Sequence, residues 1–367
     1  MARTPLALPD FPWDALVPFR ERAAAHPGGL IDLSVGSPVD ETPAVVRDAL
    51  SAATDAHAYP QTAGTPQLRE AIVAWYARRR GVPGLDTSEV LPTIGSKELI
   101  ALLPMFLGLG AGDVVVQPRV AYPTYAIGAA LAGASVVSSN DPAEWPAATR
   151  LIWLNSPGNP DGRVLWVEQL QAALSRAREL GAILVSDECY AEFSWTTDAP
   201  TPSILDPRVT GGDHSTVLSV YSLSKQSNLA GYRAGFIAGD RALISELLSV
   251  RKHVGLIPPA PVQAAMIAAL GDDAHVVAQR ELYRQRRARL APALEAAGFT
   301  IEHSEAGLYL WVSCGRDAWD TVSDLAESGI LVVPGPFYGD HAQQHIRVAL
   351  TAPDADIDRA VARLTRN

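Results

Sequence analysis

The sequence predicts an α/β fold in two units. A larger one, over 44–257, holds a mostly parallel sheet between helices; a smaller α+β one is built from 1–43 and 258–367. Three observations predict it. Short β-branched runs alternate with helix-period segments through the middle of the chain. Polar side chains of chemical interest stand at the ends of those runs, where open parallel sheets collect their ligands. And 367 residues, 48% of them hydrophobic, exceed what one core usually supports.

The elements follow in chain order. Met1 to about Pro43 reads as an arm with one strand-like run at Leu30–Val35, because Pro5, Pro9, Pro12 and Pro18 break regular helix. Such an arm crosses a partner subunit or covers its own unit. Thr65-Pro66 supplies a cap and a first-turn proline, and Leu68, Ala71, Ile72, Trp75 and Tyr76 make one apolar stripe, so a helix begins there. The short run Val90–Ile94 turns at Gly95 into an apolar helix from Glu98. Val114–Gln117 and Leu151–Leu154 read as buried strands, and Val167, Leu170, Leu174 and Ala177 as a helix. Ala182–Val185, Val217–Tyr221 and Ala234–Ala238 continue the strands. Pro258-Pro259 breaks the helix after Lys252 and marks a hinge; an Arg/Glu-rich helix and short strands at Leu308–Val312 and Ile330–Val333 come after it.

Composition excludes several functions. A net charge of −10 without a clustered basic surface argues against a nucleic-acid partner. Arg284, Arg286, Arg287 and Arg289 fall at helical spacing between Leu282 and Leu290, which reads as a solvated helix face. Cys189 and Cys314 are the two cysteines, with no CxxC, and imply a reduced, cytoplasmic setting. The N-terminus lacks the basic region and continuous apolar core of a signal peptide, and Ile100–Leu109 is too short to span a membrane and carries Pro104. His341 and His345 stand four apart without a third ligand, so they read as surface residues and no metal is expected. Gly108-Leu109-Gly110-Ala111-Gly112 follows a helix and precedes a strand, the reverse of a dinucleotide-binding loop.

The informative segments are Ser222-Leu223-Ser224-Lys225, with Arg233 one short loop later, and Asp187-Glu188-Cys189-Tyr190 at the end of the preceding strand. Alone, such a lysine is a surface charge and such an aspartate a turn cap. Together they are what an aldehyde cofactor with a phosphate tail and a basic ring nitrogen requires. The lysine condenses with the aldehyde, hydroxyls and a guanidinium take the phosphate, and a carboxylate keeps the ring protonated. Gly95-Ser96-Lys97 opens a helix, whose free N–H groups and dipole favour an anion.

With these motifs the chain resembles the fold-type I pyridoxal-phosphate aminotransferases of class I/II over nearly all its length. Phe11-Pro12-Trp13-Asp14, Asp32–Pro38, Tyr59–Thr65 and Gly95–Glu98 make it most similar to the actinobacterial succinyldiaminopimelate aminotransferases. The resemblance implies pyridoxal 5'-phosphate, with Lys225, Asp187 and Tyr190 as catalytic residues. It puts Asn159 and Tyr190 on the ring hydroxyl, Tyr122 on the ring face, and Ser96, Lys97, Ser222 and Arg233 about the phosphate. Tyr59 would reach the phosphate from the second subunit of a homodimer. Gly36 and Arg347 would meet the substrate, Arg347 through paired hydrogen bonds to its carboxylate. Asp161 stands where the family has threonine after Asn-Pro. The implied reaction joins an amino acid and a 2-oxo acid, N-succinyl-LL-2,6-diaminopimelate and 2-oxoglutarate, in lysine and diaminopimelate biosynthesis. An aminotransferase for aspartate or an aromatic amino acid, or a C–S β-lyase, would use the same motifs. Lys97, Arg20 and Arg119 are candidates for a distal carboxylate. A DNA-binding regulator is disfavoured, since the sequence before Leu30 is too short for a helix-turn-helix.

Overall fold

The computed structural model describes residues 8–9, 11–197 and 200–365, so Pro5 lies outside the described residues. A 3-10 turn, Pro12–Leu16, runs straight into α1 (Val17–Ala24). The expected proline-broken arm is therefore partly helical: Pro18 falls in the first helical turn, where no N–H partner is lost. Strand β1 (Ile31–Asp32) and helices α2 (Ala44–Ala52) and α3 (Pro66–Arg79) follow. The Thr65 hydroxyl accepts from the Leu68 N–H at 3.1 Å, and α3 buries Leu68, Ile72, Trp75 and Tyr76.

The large sheet comprises β2 (Val90–Ile94), β3 (Val114–Gln117), β4 (Ser135–Ser138), β5 (Thr149–Asn155), β6 (Ile183–Asp187), β7 (Val217–Ser222) and β8 (Ala234–Gly239). Their order is β2-β8-β7-β6-β5-β3-β4. Every strand runs parallel except β8, which is antiparallel to both β2 and β7. Between them lie α4 (Gly95–Phe106), α5 (Thr124–Ala132), α6 (Val167–Leu180), α7 (Pro207–Thr210) and α8 (Leu223–Gln226). Strands β7 and β8 are buried throughout, covered on both faces, and so read as unbroken apolar runs.

Helices α9 (Arg241–Val254) and α10 (Ala260–Gly271) complete this unit. Helix α10 packs on α2 and α3 and buries Ala265, Met266 and Leu270 in their core. The expected boundary at 257 therefore moves: Pro258-Pro259 separates two helices of one unit, and the chain leaves it near Gly271. The smaller unit holds α11 (Ala274–Ala296), β9 (Thr300–Ile301), β10 (Tyr309–Ser313), α12 (Ala318–Glu327), β11 (Ile330–Leu331), β12 (Val333–Pro334), β13 (His345–Ala349) and α13 (Asp354–Leu364). Its sheet runs β12-β13-β10-β9, and parallel pairing of β1 with β11 joins the N-terminal segment to it.

Two expectations about charge are corrected. The four-arginine run of α11 is not a solvated face, for Arg286 is 1% exposed and donates from both Nη atoms to Asp40, at 2.8 and 2.6 Å. Arg289 reaches Asp354 and Asp358 of α13. Likewise His345 is half-buried and stacked on Trp311 (4.9 Å, 5°), whereas His341 is exposed as expected. Replacing Arg286 by methionine leaves the half-buried Asp40 carboxylate without its cation and with only the Gln279 amide, at 2.8 Å, as a side-chain donor among the described residues, so we expect a loss of about 2–3 kcal/mol in urea unfolding. An unchanged midpoint would show the pair to be dispensable. Among the described residues, no helix is long and apolar enough to cross a membrane.

Candidate active site

A cavity of about 920 Å³ opens at the carboxyl ends of β5, β6 and β7, walled on its far side by β10 and β13 of the smaller unit. Lys97, Lys225, Arg233 and Arg347 line it, and Asp187 is the one carboxylate among the described lining residues. The site is thus strongly cationic, suited to ligands with several negative charges.

Ser222 ends β7 and caps α8, its hydroxyl accepting from the Ser224 N–H at 3.2 Å. This turn aims Lys225 into the cavity, where Nζ donates to the Gly36 carbonyl. Burial holds the Lys225 ammonium below its ordinary pKa, and the positive charges of Arg347 and Arg233 add to that. Asp187 ends β6 and is buried. Its Oδ2 accepts from the Tyr125 hydroxyl at 2.9 Å and its Oδ1 from the Cys189 N–H at 3.2 Å. Burial raises its pKa despite those donors. Tyr125 is fixed by stacking on Trp153 (4.9 Å, 19°), and Tyr122 meets its edge at 5.9 Å.

Beyond β5 the chain folds back on itself: the Asn155 side-chain oxygen accepts from the Asn159 N–H at 2.8 Å. Asn159 Oδ1 in turn accepts from Arg347 Nη1 at 2.9 Å, while Nη2 donates to the Ser34 carbonyl at 2.6 Å. Arg347 Nε is buried without an acceptor among the described residues. The Tyr190 hydroxyl lies 3.2 Å from that of Tyr309.

At the opposite end, Gly95 opens α4 with φ of 68°, and a Cβ added there would fall 2.3 Å from Arg233 Nη2. Arg233 has no carboxylate partner among the described residues; its Nη1 donates to the Ala230 carbonyl at 2.9 Å. Ser96, Ser222, Ser224, Arg233 and the N-terminal amides of α4 therefore gather donors in one place without an acid. A phosphate fits this end, and a protonated ring nitrogen fits the buried Asp187 at the other. The residues present match pyridoxal phosphate on both counts.

The cavity brings together Gly36, Ser96, Lys97, Tyr122, Asn159, Asp187, Tyr190, Ser222, Lys225, Arg233 and Arg347 as the sequence predicts. It does not bring in Tyr59, which is fully exposed on this chain. Arg20 is engaged by Asp32 at 2.5 Å and Arg119 is exposed outside the cavity, so Lys97 is the distal-charge candidate at the mouth. Its Nζ lies 5.6 Å from the Phe11 ring centroid. Sequence reasoning missed Tyr125, Tyr309 and the wall of Phe11, Trp13 and Phe337, whose rings touch at 5.4 and 5.6 Å. An isolated aromatic carries no spacing signal, although Phe11-Pro12-Trp13 is conspicuous in the chain.

The family model for aminotransferase class I and II matches residues 29–364. Over 98% of its length the chain is 56% identical to 4-dedimethylamino-4-oxo-anhydrotetracycline transaminase OxyQ of Streptomyces rimosus, covering 99% of that protein. It is 54% identical, again over 98% of its length and 86% of the relative, to a probable aminotransferase of Mycobacterium tuberculosis. Among solved structures, a probable N-succinyldiaminopimelate aminotransferase from Thermus thermophilus superposes with a TM-score of 0.88 at 29% identity, covering 97% of this chain and 99% of that one. Neither of these two relatives is a succinyldiaminopimelate aminotransferase by name, so the expected likeness to that branch narrows to aminotransferases at large. Cavity, cradle and relatives agree: this chain belongs to the class I and II aminotransferases, fold-type I enzymes that work with pyridoxal phosphate.

Proposed function

We propose that the enzyme, as a homodimer, exchanges an amino group between N-succinyl-LL-2,6-diaminopimelate and 2-oxoglutarate. The observation that supports this reading is the pair of separated cations: Arg347, buried with an unpartnered Nε, and Lys97 at the mouth of the same cavity. An amino acid with a second carboxylate on a long arm engages both.

Bound in the cradle, pyridoxal phosphate supplies an aldehyde that condenses with amines and a protonated ring that draws off the electron pair left at Cα. Arg347 holds the α-carboxylate and so fixes the direction of the Cα–H bond. Lys225 Nζ, whose charged form burial disfavours, would take the proton from Cα. Asp187 holds the proton at the ring nitrogen, and Asn159 and Tyr190 hydrogen-bond the ring hydroxyl. Tyr122 covers the ring, while Ser96, Ser222 and Arg233 grip the phosphate, with Tyr59 of the second subunit as a further donor.

Lys97→Ala is expected to raise KM for the succinylated substrate about tenfold, the worth of one charge-assisted hydrogen bond. An unchanged KM would remove Lys97 from substrate recognition. The whole reading is tested by half-reactions without 2-oxo acid, followed by the visible absorbance of the bound cofactor. The donors are N-succinyl-LL-2,6-diaminopimelate, glutamate, aspartate, an aromatic amino acid and cystathionine. Conversion by the first two supports the assignment, and conversion by others alone keeps transamination while discarding the substrate. Pyruvate release from cystathionine would make the enzyme a lyase.

One observation favours a second reading. The aromatic wall of Phe11, Trp13 and Phe337 suits a planar polycyclic ketone, the kind of acceptor in the name of the Streptomyces relative. Such a ketone lacks an α-carboxylate, so Arg347→Lys would spare its half-reaction while impairing that of the amino acid.

A further inference from the structure

We infer that Tyr309 is the residue that positions both halves of this site: its ring carries Arg347 for the substrate carboxylate, and its hydroxyl carries Tyr190 for the ring hydroxyl of the cofactor. The inference rests on Arg347 and Tyr190 having the roles proposed above.

Tyr309 opens β10 and is 3% exposed. In the antiparallel pairing of β10 with β13, Arg347 stands opposite Trp311, which puts Tyr309 two residues along on the same face, at the diagonal position. From there its ring lies under the guanidinium, 4.0 Å from centroid to Cζ, and Tyr338 lies on another side at 5.2 Å. These rings matter because the guanidinium has no carboxylate partner among the described residues. Its two Nη atoms reach a side-chain amide oxygen and a backbone carbonyl, both uncharged. A buried cation so placed is steadied by the negative face of an aromatic ring, and that face also fixes the guanidinium plane.

The same side chain reaches the chemistry with its other end. Its hydroxyl is 3.2 Å from the Tyr190 hydroxyl, and the two rings meet edge to face at 5.7 Å and 69°. A Cβ added at Gly36 would fall 1.9 Å from the Tyr309 hydroxyl oxygen. Glycine is required at 36 because Tyr309 fills that space, a reason beyond the close substrate approach expected from the sequence. Within the chain alone, the Gly36 carbonyl accepts from Lys225. The charged and titratable groups facing the phenol are Arg347 from β13, Lys225 from α8, Tyr190 and Cys189 from the turn after β6, and the phenols of Tyr122, Tyr283 and Tyr338. Burial pushes the phenol up, but Arg347, Lys225 and the hydrogen bond with Tyr190 together outweigh it and leave the phenol below its ordinary pKa.

A purely structural tyrosine would be an aromatic filler of the small-unit core, and phenylalanine would replace it without consequence. The test separates ring from hydroxyl in the holoenzyme. Tyr309→Phe should keep KM for the amino acid within about twofold, lower kcat about tenfold, and move the midpoint of the visible absorbance titration of the bound cofactor by about half a pH unit or more. Tyr309→Leu should raise KM, and the calorimetric dissociation constant for glutarate, a non-reacting carboxylate probe, about tenfold or more. Arg347→Lys is run beside them. If it leaves glutarate binding unchanged, the carboxylate role of Arg347 fails and the ring half of the inference falls with it. If it weakens glutarate while both Tyr309 variants bind as wild type, Arg347 stands and Tyr309 alone is overturned. An absorbance titration unmoved in Tyr309→Phe overturns the hydroxyl half, and that variant serves even where the leucine variant does not fold.

Discussion

Lys225→Ala is expected to lower kcat by at least about 10⁴-fold, because one nitrogen performs two tasks that general acid–base and covalent catalysis each make large. In the proposed function it would condense with the cofactor at rest and would take the proton from the substrate Cα during turnover. Among the described residues Nζ donates to the carbonyl of Gly36 alone, so truncation leaves the fold standing and the cavity only slightly larger. Alanine therefore reports chemistry rather than stability, and circular dichroism should be unchanged. The purified variant should also resist covalent labelling when the cofactor complex is treated with borohydride. Millimolar methylamine should restore part of the turnover, since a free amine replaces the proton acceptor without replacing the tether. A variant that kept both turnover and the label would end the assignment of Lys225, and with it the reading of the Ser222–Arg233 segment.

Much of this molecule was legible in the chain because burial on both faces of a sheet writes unbroken apolar runs. Val217–Tyr221 and Ala234–Ala238 are strands within a residue of their expected ends. What escaped lacked either period or contrast. Strand β4 is a four-residue edge with exposed serines at both ends, and α5 is apolar on every side, so neither shows a face. The hinge was misplaced because two prolines stop a helix wherever they fall, whereas the unit to which α10 belongs is decided by Ala265, Met266 and Leu270 meeting α2 and α3. Arg286 shows the same limit for charge. Helical spacing placed it among solvated arginines, but its partner Asp40 lies 246 residues away in sequence. At the site, strand-end residues and glycine-led helix starts were readable, since local chain geometry puts them at the carboxyl edge of the sheet. Tyr309 and Tyr125 meet partners far away in sequence, Tyr190 and Asp187, and no local pattern announces them.

Asp187→Asn should act with opposite signs on catalysis and on the stability of the cofactor-free protein. If Asp187 pairs with the ring nitrogen as proposed, its loss would let that nitrogen give up its proton, and kcat should fall by about 10²–10³. In the cofactor-free protein the carboxylate is a buried charge whose donors are the Tyr125 hydroxyl and the Cys189 N–H, and burial holds its pKa above the ordinary carboxylate value. The folded chain then binds this proton more tightly than the unfolded one, so the slope of unfolding free energy with pH is negative between the two values. The contribution is fully present below the ordinary carboxylate pKa and lost as pH rises through the folded one. Asparagine keeps the shape and never ionises, so it escapes that loss. Melting curves of the cofactor-free proteins should therefore show the variant gaining on wild type as pH rises from acid toward neutral. Adding pyridoxal phosphate should reverse the ranking, because wild type alone then pairs its charge with a protonated ring. A melting difference flat with pH would mean that Asp187 does not carry the buried charge. A flat difference together with normal turnover would remove it from the site altogether.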